Sequence, residues 1–346
     1  MGVASTAQAR PVLSSAPASC SQIVCGRPVV RPESLLPYTR NYVEIVHGDG
    51  AARVRAFHLV STAGPHSFIR LETSSFHGAD ASRLAMALAR RATAGSRVEV
   101  RLQNADPVLV DVMSAAGVHV RPEAGAAEGS SLSVDGQSMV GSWAWSKHDN
   151  LSQSVLVGGP ASTALTGSTS PGAPQDSFNA WTRVLRNDAT HSETRDALLA
   201  QIRAARHTIF IEARGLRDGE IVRALKDASD QGVDVNVLLE HSAGDFSKGV
   251  NNLGAAVEFS EPDHQIPFRW FEDTNGQHLT AMTAVFDSQT VLVASDDWAT
   301  TTHASSRDVL VNDPHLAEDA RFQMMMDWQT AGHFAPVIPP APPDIN

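Results

Sequence analysis

The stretches LSVDGQSMVGSWAW, residues 132–145, and AVFDSQTVLVASDDW, residues 284–298, follow one pattern and decide the fold. Each contains an aspartate, Asp135 or Asp287, followed by a short apolar strand pattern. Each ends in a small residue, a serine, two further residues and a tryptophan. A pattern that returns later in the same chain indicates an internal repeat. The sequence therefore predicts two copies of one structural unit.

The elements predicted around these stretches follow one order twice. In the first copy we expect strands at 43–46, 67–71, 98–102 and 118–120, and helices at 51–62, 79–94 and 107–116. In the second copy we expect helices at 192–205, 218–231 and 248–254, and strands at 207–211, 233–239 and 256–259. Residues 94–100 align with 230–236, and 115–120 with 253–258. Strands that alternate with helices in this way indicate βαβ units.

Composition divides the chain into four segments. Residues 1–37 are rich in Ala, Ser, Val and Pro without helical or strand periodicity, which predicts a disordered leader. Residues 38–187 and 188–332 are the two predicted lobes, and residues 333–346 are a proline-rich tail that we expect to be extended. Apolar residues make up 42% of the chain, which is enough for a core. No apolar run approaches the roughly 18 residues that span a bilayer.

The duplicated arrangement resembles the phospholipase D superfamily. Its members carry H-x-K-x-x-x-x-D twice, each copy followed by a strand, by G-S-x-N-W, and by an acidic residue that leads into another strand. Ser142, Ser295 and Asp308 stand at such places in this sequence. The resemblance covers about residues 40–330 and implies one active site at a pseudo-twofold interface. The predicted fold class is therefore α/β, a duplicated phospholipase-D-like sandwich of two pseudo-symmetric lobes.

The resemblance also implies a chemistry from which this sequence departs. In the family, one histidine attacks phosphorus, the other protonates the leaving group and then activates water, and two lysines neutralise the phosphoryl oxygens. Counting back seven and five residues from the motif aspartate gives Thr280 and Met282 in the second copy. In the first copy the same count gives Glu128 and Ser130. We therefore predict that standard phosphodiesterase chemistry is absent.

One histidine lies close to the missing positions. His278 is two residues before Thr280, and in a strand the two side chains would share one face about 6.6 Å apart. A bulge could reposition His278, so a divergent phosphodiesterase that uses His278 with Glu128 stays open as the alternative. The other interpretation is an exposed loop histidine after Asn275-Gly276.

Metal and cofactor signals are missing from the sequence. The two cysteines, Cys20 and Cys25, both lie in the leader and cannot cross-link the lobes. The 14 histidines show no H-E-x-x-H or other metal-ligand spacing. No Walker loop or G-x-G-x-x-G is present. We therefore predict neither a metal site nor a cofactor.

The N-terminus supports two hypotheses on location. Residues 1–6, MGVAST, fit the N-myristoylation pattern with Gly2 as the acceptor, and palmitate on Cys20 or Cys25 would supply the second anchor that stable membrane binding needs. The competing hypothesis is a secretion leader, similar in composition to type III leaders of bacterial effectors. No compact apolar stretch of a cleaved signal peptide is present. We expect a protein that is secreted without such a peptide or cytoplasmic, and at a host membrane if lipidated.

Charge is unevenly divided between the two halves. Residues 1–190 hold 16 basic and 14 acidic residues, a net charge of +2, and residues 191–346 hold 11 and 24, a net charge of −13. Because such acidity repels phosphate backbones, nucleic acid is not an expected partner and a basic protein surface is favoured. We predict a catalytically inactive binding protein, with a secreted bacterial effector as the first role considered. The divergent phosphodiesterase and an intracellular structural or regulatory protein remain as alternatives.

Overall fold

The computed structural model describes the two lobes and a few residues of the leader. The described residues are 23–24, 27–28, 42–122, 129–145, 150–159, 161–162, 165, 175–177, 180–188, 190–241, 252–262, 265–272, 277–298 and 306–331. Two short antiparallel strands, β1 (Ile23–Val24) and β2 (Arg27–Pro28), belong to a separate unit, residues 1–37. The predictions for the rest of the leader, for the tail and for Gly2, Cys20, Cys25 and Glu128 fall outside the described residues.

The first lobe is built on one mixed sheet, which has seven strands among the described residues. These strands are β3 (Tyr42–His47), β4 (Phe68–Phe76), β5 (Arg97–Ala105), β6 (His119–Pro122), β7 (Ser130–Val134), β8 (Gln137–Gly141) and β9 (Gln153–Gly158). They lie in the order β3-β9-β8-β7-β4-β5-β6, with β4, β5 and β6 parallel. The helices are α1 (Asp49–Thr62), α2 (Gly78–Thr93) and α3 (Pro107–Ala115).

The second lobe repeats this sheet and extends it to eight strands in the described part of the chain. Its strands are β10 (Gln175–Ser177), β11 (Ala180–Asn187), β12 (Thr208–Ala213), β13 (Asp234–Glu240), β14 (Phe268–Phe271), β15 (Met282–Phe286), β16 (Thr290–Val293) and β17 (Ser306–Asn312). The order is β10-β11-β17-β16-β15-β12-β13-β14. The helices are α4 (Glu193–Ala204), α5 (Gly219–Asp230), α6 (Leu253–Phe259) and α7 (Pro314–Thr330). The predicted duplicated α/β fold is confirmed.

Local sequence explains where several helices begin. Asp106, Ser192, Asp218 and Asp313 precede α3, α4, α5 and α7, and each side chain accepts a hydrogen bond from a backbone N–H of the first helical turn. Such caps satisfy donors that have no partner inside the helix. Pro107 and Pro314 occupy first-turn positions, where a missing N–H costs nothing.

One predicted strand is wrong. Residues 256–259 are the end of helix α6, and the strand that follows β13 in the sheet is β14. The alignment of residues 115–120 with 253–258 is therefore also wrong, because β6 matches β14 and α3 matches α6. Ala255, Ala256 and Phe259 are buried at helical spacing. A short apolar run does not by itself distinguish a buried strand from a buried helix turn.

The inner faces of the two sheets share one apolar core. It contains valines from β8 and β9 of the first sheet and from β15, β16 and β17 of the second, namely Val140, Val155, Val157, Val285, Val291, Val293, Val309 and Val311. From α7, Ala317, Ala320 and Met324 pack against it. Full burial of one such valine contributes roughly 1.5–3 kcal/mol. The two lobes are therefore held together by ordinary hydrophobic packing along a valine-rich seam.

Candidate functional site

The two repeated stretches fold into matching turns at the ends of β8 and β16. In the first lobe Trp145 pairs with Phe76, and its carbonyl accepts a hydrogen bond from His77 N at 3.0 Å. In the second lobe Trp298 pairs with Leu216, and its carbonyl accepts one from Arg217 N at 2.8 Å. These bonds hold each serine-containing turn beside the start of a helix, α2 in the first lobe and α5 in the second. The turns therefore occupy equivalent places in the two lobes.

The motif aspartates have structural contacts. Asp287 accepts hydrogen bonds from the backbone N–H groups of Arg206, His207 and Thr208 at 2.8–2.9 Å. Burial alone would raise its pKa, but these three donors hold that pKa below its ordinary value. Asp135 accepts from Ser67 Oγ at 2.8 Å and from Phe68 N at 3.1 Å. Each aspartate therefore ties a hairpin turn to the strand beside it.

The positions predicted to lack histidine and lysine are occupied by side chains that the fold itself engages. Met282 is buried, and Thr280 donates its backbone N–H to Leu151 O at 2.8 Å. Ser130 is also buried, and its hydroxyl lies 2.8 Å from Thr73 Oγ1 and 2.8 Å from Trp143 O. We call Ser130 with Asp135 the first half-site, and Thr280 and Met282 with Asp287 the second.

Segments that flank the two half-sites approach each other across the lobes. Gly129, directly before Ser130, lies so close to the second lobe that an added Cβ would fall 2.8 Å from Ser295 Cβ. Leu151 of the first lobe also pairs with Leu279 of the second in an isolated β-bridge. The structure thus brings together the segments on which the resemblance places one active site.

His278 lies beside this junction with a carboxylate partner. Its Nδ1 is 3.4 Å from Glu240 Oε1, and its backbone N donates to Asn150 Oδ1 at 3.2 Å. Glu240 is buried, whereas the His278 side chain is 45% exposed. Leu279 N donates to the second oxygen of Glu240 at 2.6 Å. Sequence reasoning singled out His278 but missed Glu240 and Asn150, which carry no motif.

The motif serines are held by different groups in the two lobes. Asp308 accepts from both the N–H and the hydroxyl of Ser295, at 2.8 and 2.9 Å. Thr194 Oγ1 and Asn187 Nδ2 donate to its other oxygen at 2.7 and 2.8 Å. In the first lobe, Ser142 donates its N–H to Gln153 O at 3.1 Å.

The first lobe holds its turn with an acid from a helix. Asp49, at the start of α1, accepts from Ala144 N at 3.2 Å. Burial, opposed by hydrogen bonds and Arg53, raises the pKa of Asp49 to about 6. Burial and the charge of Asp296 likewise raise the pKa of Asp308 to about 6. In the first lobe SQSVLV at 152–157 repeats SRDVLV at 306–311 with serine in place of the acid, so the counterpart of Asp308 is absent there.

Asp297 stands where the family pattern has asparagine, and two arginines neutralise it. Arg214 donates to Oδ1 at 2.7 and 2.8 Å, and Arg217 donates to Oδ2 at 2.8 Å. A side chain at position 215 would collide with this carboxylate, so Gly215 permits the contact. The charge of Asp297 is thus balanced locally by basic residues.

The described residues lack two further features, a cluster of metal ligands and a helix that could span a membrane. They contain no group of three or more His, Cys, Asp or Glu side chains that could hold a metal ion. None of their helices combines the length and apolar character that crossing a membrane requires.

Comparison with known proteins agrees with the fold described above. A family model described as "Cardiolipin synthase, PLD-like domain" matches residues 198–328. Phosphatidylserine synthase of Haemophilus influenzae Rd KW20 superposes with a TM-score of 0.63 at 9% identity, over 83% of this chain and 86% of that one. Polyphosphate kinase of Porphyromonas gingivalis gives 0.59 at 14% identity, over 84% of this chain and 50% of that one. No curated protein matches the sequence.

A smaller structure matches a smaller part of the chain. Nuc of Salmonella typhimurium, a phospholipase D family member, gives a TM-score of 0.39 at 21% identity, over 45% of this chain and 98% of that one. The second lobe carries a phospholipase-D-like domain. Over most of its length the chain shares its fold with the phosphatidylserine synthase structure, while the family model matches residues of the second lobe.

Proposed function

We propose that this protein is a catalytically inactive member of the superfamily that acts by binding a partner. The observation that carries the proposal is that Thr280, Met282 and Ser130 occupy the family's histidine and lysine positions in half-sites whose flanking segments approach each other across the lobes. A thioether and two hydroxyls engaged in the fold supply neither a nucleophile for phosphorus nor a cation for its oxygens. The scaffold persists while the groups that would perform the chemistry are replaced.

A second function has one observation in its favour. The His278–Glu240 pair places a partly exposed imidazole beside the half-sites, with a buried carboxylate on Nδ1. A carboxylate in that position orients the ring and sets its tautomer. This arrangement supports a divergent phosphodiesterase in which His278 acts as nucleophile or base, and Glu240 takes the supporting role that the sequence hypothesis gave to Glu128.

Hydrolysis assays separate the two functions. The full chain is incubated with bis-p-nitrophenyl phosphate and with phosphatidylcholine vesicles, and product is measured for wild type, His278→Ala and His191→Ala. His191 is the matched control, because it is also exposed and lies 3.6 Å from a carboxylate, that of Asp196. We expect no turnover above background in any sample. Turnover that His278→Ala abolishes and His191→Ala preserves would overturn the proposal and establish the enzyme.

The kind of partner and the location are extensions of this proposal. The net charge of −13 in residues 191–346 supports a protein partner with a basic surface. The leader composition supports secretion as an effector, and Gly2 with Cys20 or Cys25 supports a lipid anchor. Membrane partitioning of wild type and Gly2→Ala in a eukaryotic cell tests the anchor, and equal partitioning rules it out. Affinity purification from host extract, repeated at high salt, tests for a basic partner.

A further inference from the structure

The outer surface of the first lobe carries an open groove between helices α1 and α2, which we call the helix groove. Helix α1 packs into the core of the lobe through Ala56, and α2 packs through Leu84 and Leu88. Phe57 and Met86 lie outside that core and are 41% and 48% exposed. Both line the groove, whose volume is about 750 Å³. Apolar residues that gather in a groove with a polar rim, unlike scattered ones, are typical of binding surfaces.

The matching helix pair of the second lobe is bridged by ion pairs instead. Helices α4 and α5 flank β12 as α1 and α2 flank β4. Glu220 of α5 lies 2.6 Å from Arg195 Nη2 and 2.9 Å from Arg203 Nη2, and both arginines belong to α4. The large apolar residues of α4 and α5 are all buried, namely Leu198, Leu199, Ile202, Ile221, Val222 and Leu225. The exposure of Phe57 and Met86 is therefore particular to the first lobe and is not a property of the repeated fold.

The described residues that line the helix groove include three arginines and no acid. The arginines are Arg83, Arg90 and Arg91, all on α2. Arg83 lies 3.3 Å from Asp80, a carboxylate that it shares with Arg53. Arg91 donates to a backbone carbonyl of α1, and neither Arg90 nor Arg91 has a carboxylate partner in the described part of the chain. A surface with this excess of arginine favours a negatively charged partner.

We propose that the helix groove binds an acidic amphipathic helix of another protein. Such a helix lays its apolar stripe into a hydrophobic groove, with anchor residues at positions i, i+4 and i+7. From Arg83 to Ala94 the groove extends about 16 Å along α2, which matches about three turns of a partner helix. Phe57 and Met86 contact the apolar stripe, and Arg90 pairs with a carboxylate beside it.

The shape of the groove favours a protein segment over a small ligand or a bilayer. Walls that leave Phe57 and Met86 nearly half exposed do not enclose a small molecule, whereas a ligand pocket typically buries roughly 70–90% of its ligand. A peripheral protein binds a bilayer by inserting an apolar face beyond the headgroups. Here the apolar residues line a concave surface, which receives a protruding helix better than a flat membrane.

The helix groove is separate from the half-sites, and docking there does not rest on the proposed loss of catalysis. No residue that lines the groove belongs to the repeated stretches 132–145 and 284–298. The groove also lies in residues 1–190, whose net charge is +2, whereas the basic partner favoured above follows from the net charge of −13 in residues 191–346. Peptide binding is measured without any turnover, so failure of either proposal leaves the other standing.

Fluorescence anisotropy of a labelled model peptide, titrated with the full chain, tests the groove. The probe is a helical peptide of about 16 residues, long enough to hold a helix, with one stripe of leucines and glutamates on the other faces. We expect saturable binding that weakens as salt is added. Because the whole chain has a net charge of −11, an acidic peptide is repelled in general and binds only at a locally basic surface. A second peptide with serines in place of the leucines should bind about tenfold more weakly, since it lacks the apolar contacts.

Variants of the groove locate the binding. Phe57→Ala and Arg90→Glu should each weaken binding of the leucine–glutamate peptide about tenfold, because one removes an apolar anchor and the other reverses a charge. Arg223→Glu is the matched control, since it makes the same change of charge at an exposed arginine of α5, which donates to Gly219 O at 3.1 Å. It should bind like wild type. Circular dichroism and thermal unfolding check the folding of each variant, and Arg90→Glu serves if Phe57→Ala does not fold.

Three outcomes would overturn the proposal. Wild type does not bind the leucine–glutamate peptide, or Phe57→Ala and Arg90→Glu bind it as tightly as Arg223→Glu does. The third concerns membranes and is measured by sedimentation with vesicles of phosphatidylcholine and phosphatidylserine. Wild type that sediments with these vesicles, loses that property on Arg90→Glu and does not bind the peptide would assign the groove to a membrane surface.

Discussion

Glu72 and Glu212 occupy matching positions in the two lobes, but their surroundings are opposite. Glu72 lies opposite Ser131 on β7, and Glu212 lies opposite Thr283 on β15. Glu72 lies beside Arg70 and Arg101, and its charge acts on Arg307 of the other lobe. Glu212 instead accepts a hydrogen bond of 3.3 Å from Nε2 of Gln153, the residue whose position corresponds to that of Arg307. The duplicated scaffold fixes where each side chain points, while the charge it meets there is set separately in each lobe.

The surroundings of Glu212 favour its protonated form. Burial and the neighbouring Asp327 raise its pKa well above the ordinary value. Its Oε1 has no donor among the described residues, but a side-chain hydrogen bond with Asp327 adds to the rise in its pKa. Gln153 Oε1 and Thr283 Oγ1 also lack a partner in the described part of the chain. His47 Nε2 lies 3.2 Å from the carboxylate of Asp327. Burial, the acidic neighbour and the absence of a paired arginine among the described residues all favour the protonated carboxyl.

The largest effect on stability is expected when Asp308, which holds the turn at Ser295, is replaced by the residue at the matching position of the first lobe. Asp308→Ser installs the residue found at the matching position, Ser154, and removes the acceptor of four hydrogen bonds. We expect the free energy of unfolding at pH 5 to fall by about 3 kcal/mol, as the net loss of several buried bonds. Urea denaturation measures it.

The pH dependence of that loss follows from the direction of the pKa shift. The pKa of Asp308 is raised from 3.8 to about 6 in the folded protein, so its contribution to stability is complete below 3.8 and is lost as the pH rises through about 6. The substitution should therefore cost less at pH 8 than at pH 5. Asp49→Ser in the first lobe should show the same trend, because its pKa is also about 6. Equal losses at both pH values would contradict the buried-acid interpretation.

A substitution at Glu212 is expected to change the free energy of unfolding by a smaller amount and in the opposite direction. Because its pKa is raised, its stabilising contribution is present at low pH and is lost as the pH rises through the folded-state pKa. Glu212→Gln removes the charge that must form at high pH, and should raise the free energy of unfolding at pH 8 by roughly 1–2 kcal/mol while changing it little at pH 5. Chemical denaturation at the two pH values measures this difference.

Glu72→Gln, in the first lobe, is the matched comparison for Glu212→Gln and should have the smallest effect on stability. Glu72→Gln removes the carboxylate beside Arg70 and Arg101, so it should lower stability by about 0.5–1 kcal/mol, and more at low salt than at high salt. If both glutamate variants shift stability in the same direction at pH 8, the contrast between the two positions is wrong.

The sequence predicted the duplicated fold well because its signals were local. Asp135 and Asp287 mark the same turn twice, and both have left-handed backbone with φ of 50° and 51°. The end of helix α6, residues 256–259, was predicted as a strand because a short apolar run fits two structures. Asp49, Glu212 and Glu240 were missed for a different reason. A single acid in a sequence does not show whether the fold will bury it or what charge it will meet.

The valine-rich seam has a consequence for cooperativity. Since β8 and β9 supply one side of it and β15, β16 and β17 the other, opening either lobe exposes apolar surface on both. We therefore expect the two lobes to share one unfolding transition instead of melting in sequence. A substitution that loosens one lobe should then lower the stability of both.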